Sequence, residues 1–344
     1  MPAEWEPHEA TWIAWPHQRD DWPGKFPTIP WVYTEIAFHL TLSETVRILV
    51  NDAATERRVQ GLLRQRGVDL GRVEFFRLPT DRVWTRDYAP LFVRDESGEV
   101  AVTDWLFNAW AKYDNWRLDD AVPDWIAHHF ELRHWQPLCA GKRVVLEGGS
   151  IDVNGAGLLL TTEECLLSPV QARNPDLSRT ELEQILADYL GVRKVLWLNR
   201  GIAGDDTHGH VDDLARFVGR RTIVTVVESD ERDANHEPLR ENLERLRAMT
   251  DLEGRSLEVV ELPMPAPLFF AGQRLPASYA NFYIANARVL VPTFNDPNDR
   301  KALGILAELF PERTVVGIHA GDLIWGLGTL HCLTQQQPAR KSQL

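Results

Sequence analysis

The sequence predicts an α/β protein in which a unit of strands plus one helix recurs along the chain and is arranged around a ring. Two observations predict it. Four strand–turn–strand hairpins appear in succession, and between them lie helical patterns, each followed by a further strand run. No Pro/Gly/Ser-rich linker divides the 344 residues, so one domain, 1–344, is expected. An open βα sheet is the competing topology, since helix–strand alternation alone permits it. The hairpins argue against it.

In chain order, a short apolar run at 10–15 precedes a Pro- and Trp-rich loop reaching Trp31. Helical periodicity follows at 32–42, then a β-branched strand at Thr45–Val50, a helix at Ala53–Arg66 and a strand at 72–76. The first hairpin pairs 90–94 with 100–102 across Glu96-Ser97-Gly98. The second pairs 150–153 with 158–160 across Asn154-Gly155, a type I′ turn signal. The third pairs 214–218 with 222–226, and the fourth 281–285 with 288–291. Helical patterns at 120–130, Arg179–Leu190, 238–249 and 298–310 separate or follow them, with strands such as 194–197 and 313–316 behind. A fifth hairpin lacks its second half at the C-terminus. Residues 330–334 are expected to pair with 11–15, joining the two ends.

Composition narrows the partners. A hydrophobic fraction of 44% and a charged fraction of 25% are those of a globular protein rather than a disordered one. A net charge of −13 argues against nucleic acid or an anionic membrane and fits a cationic substrate. Cys139, Cys165 and Cys332 show no CxxC spacing, so neither a disulfide framework nor a structural zinc site is indicated. A reducing, cytoplasmic setting is expected, with no targeting or membrane-spanning segment. Oligomeric state is left open, a homodimer included.

Four of the five inter-strand loops carry groups able to do chemistry. They are Trp84-Thr85-Arg86-Asp87, Glu147-Gly148-Gly149, His208-Gly209-His210-Val211-Asp212-Asp213, and His331-Cys332. If the units are equivalent, these loops converge. Cys332 follows Gly326 and Gly328, and glycines supply unusual backbone conformations and allow close approach. Its thiol needs a nearby cation to ionise at neutral pH, supplied by His210 or by the substrate. Asp87 and Asp212 can hold one planar, many-donor cation through paired charge-assisted hydrogen bonds, which describes a guanidinium. Glu147 can orient His210 and keep it protonated. Within an extended segment, His208, His210 and Asp212 would share a face, so a metal-dependent amidohydrolase using these three is the reading from another class. An inactive guanidine-binding module is a further one.

These phrases resemble the agmatine deiminase family, related to the bacterial peptidylarginine deiminases, over essentially the whole chain. The resemblance rests on Glu4-Trp5-Glu6-Pro7-His8-Glu9, Trp84-Thr85-Arg86-Asp87, Leu146-Glu147-Gly148-Gly149-Ser150-Ile151, Thr161-Thr162-Glu163-Glu164-Cys165-Leu166-Leu167, Gly209-His210-Val211-Asp212, Ala277-Ser278-Tyr279-Ala280-Asn281-Phe282-Tyr283 and His331-Cys332-Leu333-Thr334-Gln335-Gln336-Gln337-Pro338. It implies a five-fold pseudosymmetric α/β propeller of ββαβ-type units with a central active site. It implies a cofactor-free, metal-free hydrolysis of agmatine to N-carbamoylputrescine and ammonia, a step towards putrescine. Cys332 would be the nucleophile and His210 the general acid and base. Asp87 and Asp212 would be the guanidinium clamps, Glu147 the support for His210, and Trp84 a pocket wall. Cys165 and Cys139 would be structural. Asp205 or Asp206, and of these Asp206, is expected to meet the distal ammonium. The chain departs from the family at Leu327 and Thr329 in the turn before the nucleophile, at Tyr88-Ala89, and at Asp213, where agmatine deiminases often have Asn. These departures bear on substrate choice, and peptidylarginine or another guanidine is the alternative.

Overall fold

The computed structural model describes residues 1–341. Five mixed sheets make up the frame. In the first, His8–Ala14, Thr45–Val50 and Val73–Arg77 run parallel, and Gln335–Pro338 adds antiparallel to His8–Ala14. The other four share one pattern, an antiparallel hairpin extended by a parallel strand. They are Leu91–Arg94 with Val100–Thr103 and Arg133–Trp135; Asp152–Val153 with Leu158–Thr162 and Lys194–Leu198; Ala215–Phe217 with Thr222–Val227 and Glu258–Pro263; and Tyr283–Ile284 with Arg288–Thr293 and Thr314–His319. The middle strand of each is covered on both sides, as Leu158–Thr162 is along its whole length, and these strands read as near-continuous apolar runs.

Parallel neighbours require a crossover, and helices supply it. Ala53–Arg66 begins where the Asp52 side chain accepts from the Thr55 amide at 2.6 Å and ends at Gly67, whose φ of +85° suits only glycine. Arg179–Leu190 begins with a capping box between Ser178 and Glu181 and ends at Gly191. Its Leu182, Ile185, Leu186 and Leu190 recur at helical spacing and are buried in a core shared with Leu159 and Cys165. No helix of the described residues is long and apolar enough to cross a membrane.

Two expectations are corrected here. The α/β class and the hairpins are present, but the five-fold propeller is not found: the fold is a set of several small mixed sheets with helices, and among the described residues no sheet closes or curls upon itself. Among these residues the strands sort into separate sheets of two to four strands, none hydrogen-bonded into the next. The two ends of the chain do pair, but through Gln335–Pro338 rather than 330–334. Residues 330–334 are occupied by a turn in which the amides of Leu333 and Thr334 donate to the carbonyls of Thr329 and His331.

Candidate active site

Cys332 lies in that turn, between a 3-10 turn at Leu323–Gly326 and the strand Gln335–Pro338. The preceding glycines serve close approach and not left-handed backbone. A Cβ on Gly326 would stand 2.8 Å from Trp22 and 2.9 Å from Trp84; one on Gly328 would stand 2.8 Å from Trp84 and 3.1 Å from the Cys332 Cβ. The left-handed residue is instead Leu327, at φ +68°. The turn is pinned from outside, since the Arg86 amide donates to the Cys332 carbonyl and the Thr85 hydroxyl to that of Leu333.

Asn281 holds Cys332 directly. Its Nδ2 lies 3.1 Å from Cys332 Sγ and donates at 3.0 Å to Asp213 Oδ1, while its Oδ1 accepts from the Thr329 hydroxyl at 2.7 Å and the His331 amide at 3.1 Å. Sequence reasoning assigned it no role. The signal was there: Asn281 is the fourth of five points, Asp87, Glu147, His210, Asn281 and Cys332, that recur 51 to 71 positions apart along the chain.

The five expected residues Cys332, His210, Asp87, Asp212 and Glu147 come together, and every one is buried. The short helix Thr85–Tyr88 presents Asp87, whose Oδ1 accepts from the Gly149 amide at 3.1 Å and Oδ2 from Trp110 Nε1 at 2.9 Å. Gly149 must be glycine, because a Cβ would meet His210 Nδ1 at 2.6 Å and Asp87 Oδ1 at 2.7 Å. His210 stands between carboxylates, Nδ1 3.7 Å from Asp87 and Nε2 3.7 Å from Glu147. Glu147 is fixed by Arg173 at 2.9 Å, with both side chains fully buried. Asp212 Oδ2 receives His331 Nδ1 at 2.7 Å and lies 3.8 Å from Cys332 Sγ. Trp110, Arg173 and His331 were not identified from sequence as site residues.

Burial sets the electrostatics, and charges correct it. Burial pushes the Cys332 thiol well above its ordinary pKa, and Asp212, Asp213 and Asp87 push it further. Burial by itself would lower His210; Asp87 foremost, then Cys165 and Glu147, outweigh it and lift the imidazole well above the usual histidine range. Asp87 is raised to about 6, by burial and then by Asp212 and Glu147. Burial also works against ionised Glu147, yet Arg173 and then His210 bring it down to about 2. Asp213 is raised well above the carboxylate range, by burial and then by Asp212 and Asp205. In the free protein this is a protonated thiol facing more negative than positive charge. Asp212 Oδ1, Glu147 Oε2 and both His210 nitrogens are buried with no hydrogen-bond partner among the described residues.

A cavity of about 370 Å³ reaches Cys332 and Asp87, with Trp84, Trp110 and Trp325 among its walls. Asp206 also lines it, but its carboxylate is bonded to Lys112 Nζ and, at 2.7 Å, to the Tyr113 hydroxyl. Asp205 is turned inward, accepting from the amides of Thr207, Gly209 and His210. The three proposed metal ligands do not share a face. Val211–Asp213 is a 3-10 turn, and His208, at φ +65°, points Nε2 to the Ser168 hydroxyl at 3.1 Å. Among the described residues, the group that could converge on an ion is Glu147, Cys165 and His210. Cys165 is thus beside His210, although it is wholly buried and does not line the cavity.

A site richer in acceptors than in donors suits a substrate that brings its own positive charge. The chain belongs to the Porphyromonas-type peptidyl-arginine deiminases, whose family model matches residues 1–338. Among individual relatives, it is 36% identical over 362 residues to the agmatine deiminase of Pseudomonas aeruginosa, covering 98% of this chain and 95% of that one. The structure of the Enterococcus faecalis agmatine deiminase superposes with a TM-score of 0.87 at 34% identity, over 99% of this chain and 96% of that one. The substrate-bound agmatine deiminase of C. jejuni gives 0.87 at 30% identity, over 99% and 96%.

Proposed function

We infer that the chain is an agmatine deiminase: it hydrolyses agmatine to N-carbamoylputrescine and ammonia through a covalent intermediate on Cys332. The observation that carries the assignment of the nucleophile is access. Of the three cysteines, Cys332 alone lines the cavity, and it does so beside Asp87. Three tryptophans wall this cavity, whose size is that of small-molecule sites, which favours agmatine over a peptide.

In the mechanism, Asp87 and Asp212 bracket the guanidinium and place its carbon before Sγ. The arriving cation offsets the carboxylates that hold the thiol neutral, and Cys332 releases its proton to solvent. The thiolate attacks the guanidinium carbon. His210, protonated at rest, gives its proton to one amino group, which leaves as ammonia with the C–N bonding pair, and an S-alkylthiouronium remains. Neutral His210 then takes a proton from water as its oxygen bonds to the same carbon. The C–S bond breaks, the new hydroxyl's proton passes to sulfur, and N-carbamoylputrescine departs. Glu147, anchored by Arg173, holds His210 through both halves, and Trp84 packs the loop that carries the nucleophile. The need for a reduced thiol at Cys332 favours a cytoplasmic setting, and residues 1–344 are read as one catalytic domain. The test is ammonia release from agmatine, arginine and a blocked arginyl peptide, with and without EDTA. Turnover of agmatine alone, unaffected by EDTA, is expected. Turnover of the peptide instead, or loss of activity on chelation, would refute the reading.

A further inference from the structure

Resting on the deiminase reading, we propose that Asp21, rather than Asp206, receives the distal ammonium of agmatine and makes the enzyme selective for guanidines that carry a second positive charge. Asp21 lines the same cavity as Cys332. Its side chain is only 8% exposed, and its two oxygens are unequally used. Oδ1 accepts from Arg82 Nη1 at 3.1 Å, whereas Oδ2 is buried with no hydrogen-bond partner among the described residues. Buried carboxylate oxygens are normally paired, and an ammonium offers three donors.

No neighbour among the described residues donates to Oδ2, although Arg82 Nε and His17 Nε2, on the two groups that pull on Asp21, are themselves buried without a partner there. Arg82 is committed through both terminal nitrogens, the second to Asn115 Oδ1 at 3.3 Å, and its guanidinium lies 4.3 Å over the Tyr113 ring. Asp206 already has Lys112 and Tyr113 on its two oxygens, so a ligand there would have to displace a lysine. Asp20 is exposed. Burial pushes the Asp21 carboxyl up to about 6 against the pull of Arg82 and His17, so it is a carboxylate at neutral pH that a cation arriving at Oδ2 would stabilise further. Asp21 and Cys332 line one cavity of about 370 Å³, the size of a small-molecule site.

The test is the kcat and KM of wild type, Asp21→Asn and Asp206→Asn with agmatine and with n-butylguanidine, which has the same chain but no ammonium. Asparagine keeps an oxygen for Arg82, so the fold is preserved. Wild type should prefer agmatine. Asp21→Asn should raise the agmatine KM at least tenfold with little change in kcat, while the butylguanidine KM does not rise. An equal rise for both substrates would reduce Asp21 to a packing role, and a rise in Asp206→Asn with Asp21→Asn at the wild-type value would move the ammonium to Asp206; either overturns the inference. Failure of the deiminase reading has a different signature, in which wild type releases ammonia from neither guanidine.

Discussion

Asn281 touches both Asp213 and the Cys332 sulfur, so the charge on Asp213 bears on that thiol. Burial first, then Asp212 and Asp205, keep the Asp213 carboxyl protonated, and a neutral carboxylic acid is close to an amide in shape and charge. This accounts for an Asp at a position where the family often carries Asn. Asp213→Asn should retain turnover within a few-fold of wild type. Its effect on stability depends on pH with a definite sign. A carboxyl whose folded pKa lies above its unfolded value of about 3.9 stabilises fully below that value and loses the contribution as pH rises. Thermal melts of Asp213→Asn should therefore gain on wild type between pH 4 and pH 8; parallel curves would contradict the assignment. Asp213 was visible in the sequence as a departure, but its protonation was not, because burial and two neighbouring carboxylates produce it. That Cys332, His210, Asp87, Asp212 and Glu147 come together was legible from spacing and motif. Trp110 and Arg173 were not legible, since neither stands in one of the loops whose motifs carried the reading.

Local backbone conformation carries cost as well as placement. Trp110 reaches Asp87 from a turn in which Ala109, Trp110 and Ala111 all lie in the left-handed region, at φ +50°, +58° and +53°. Each non-glycine residue there costs roughly 1 kcal/mol. Ala111 is exposed, so Ala111→Gly removes strain without loss of packing and should stabilise by about 1 kcal/mol in chemical denaturation, opposite to the usual sign. Ser178→Ala should cost about 1 kcal/mol through loss of its capping box. Helices were legible where caps and apolar spacing agreed, and Ala53–Arg66 and Arg179–Leu190 fall where the sequence placed them. The two-residue inner strands were overextended by the sequence reading, since alternation cannot say where a neighbouring sheet stops pairing. Ring closure was misjudged because repetition of a unit is visible along the chain, whereas the way the units are arranged in space is not.

Across the whole molecule, the N-terminal segment is wired to positions far along the chain. Glu4 is buried and ion-paired with Arg86 at 3.2 Å, Arg216 at 2.8 Å and His331 at 2.8 Å, while His331 continues to Asp212. Burial pushes its carboxyl up, but Arg216, His331 and Arg86 together hold it well below the usual range. Its stabilisation is therefore present above the unfolded value of about 4.3 and is lost as pH falls. Glu4→Gln leaves two arginines short of a counter-charge and should cost roughly 3 kcal/mol at pH 7, with a smaller deficit in acid. It should also lower kcat, because His331 loses the anchor from which it holds Asp212. A variant as stable and active as wild type would show that the N-terminal segment does not support the site.

The most direct test of the account is acid-quenched mass spectrometry of the enzyme during turnover of agmatine. The account predicts a peptide containing Cys332 heavier by agmatine minus ammonia, and neither adduct nor ammonia release in Cys332→Ala. An adduct on Cys165, or undiminished ammonia release from Cys332→Ala, would contradict it.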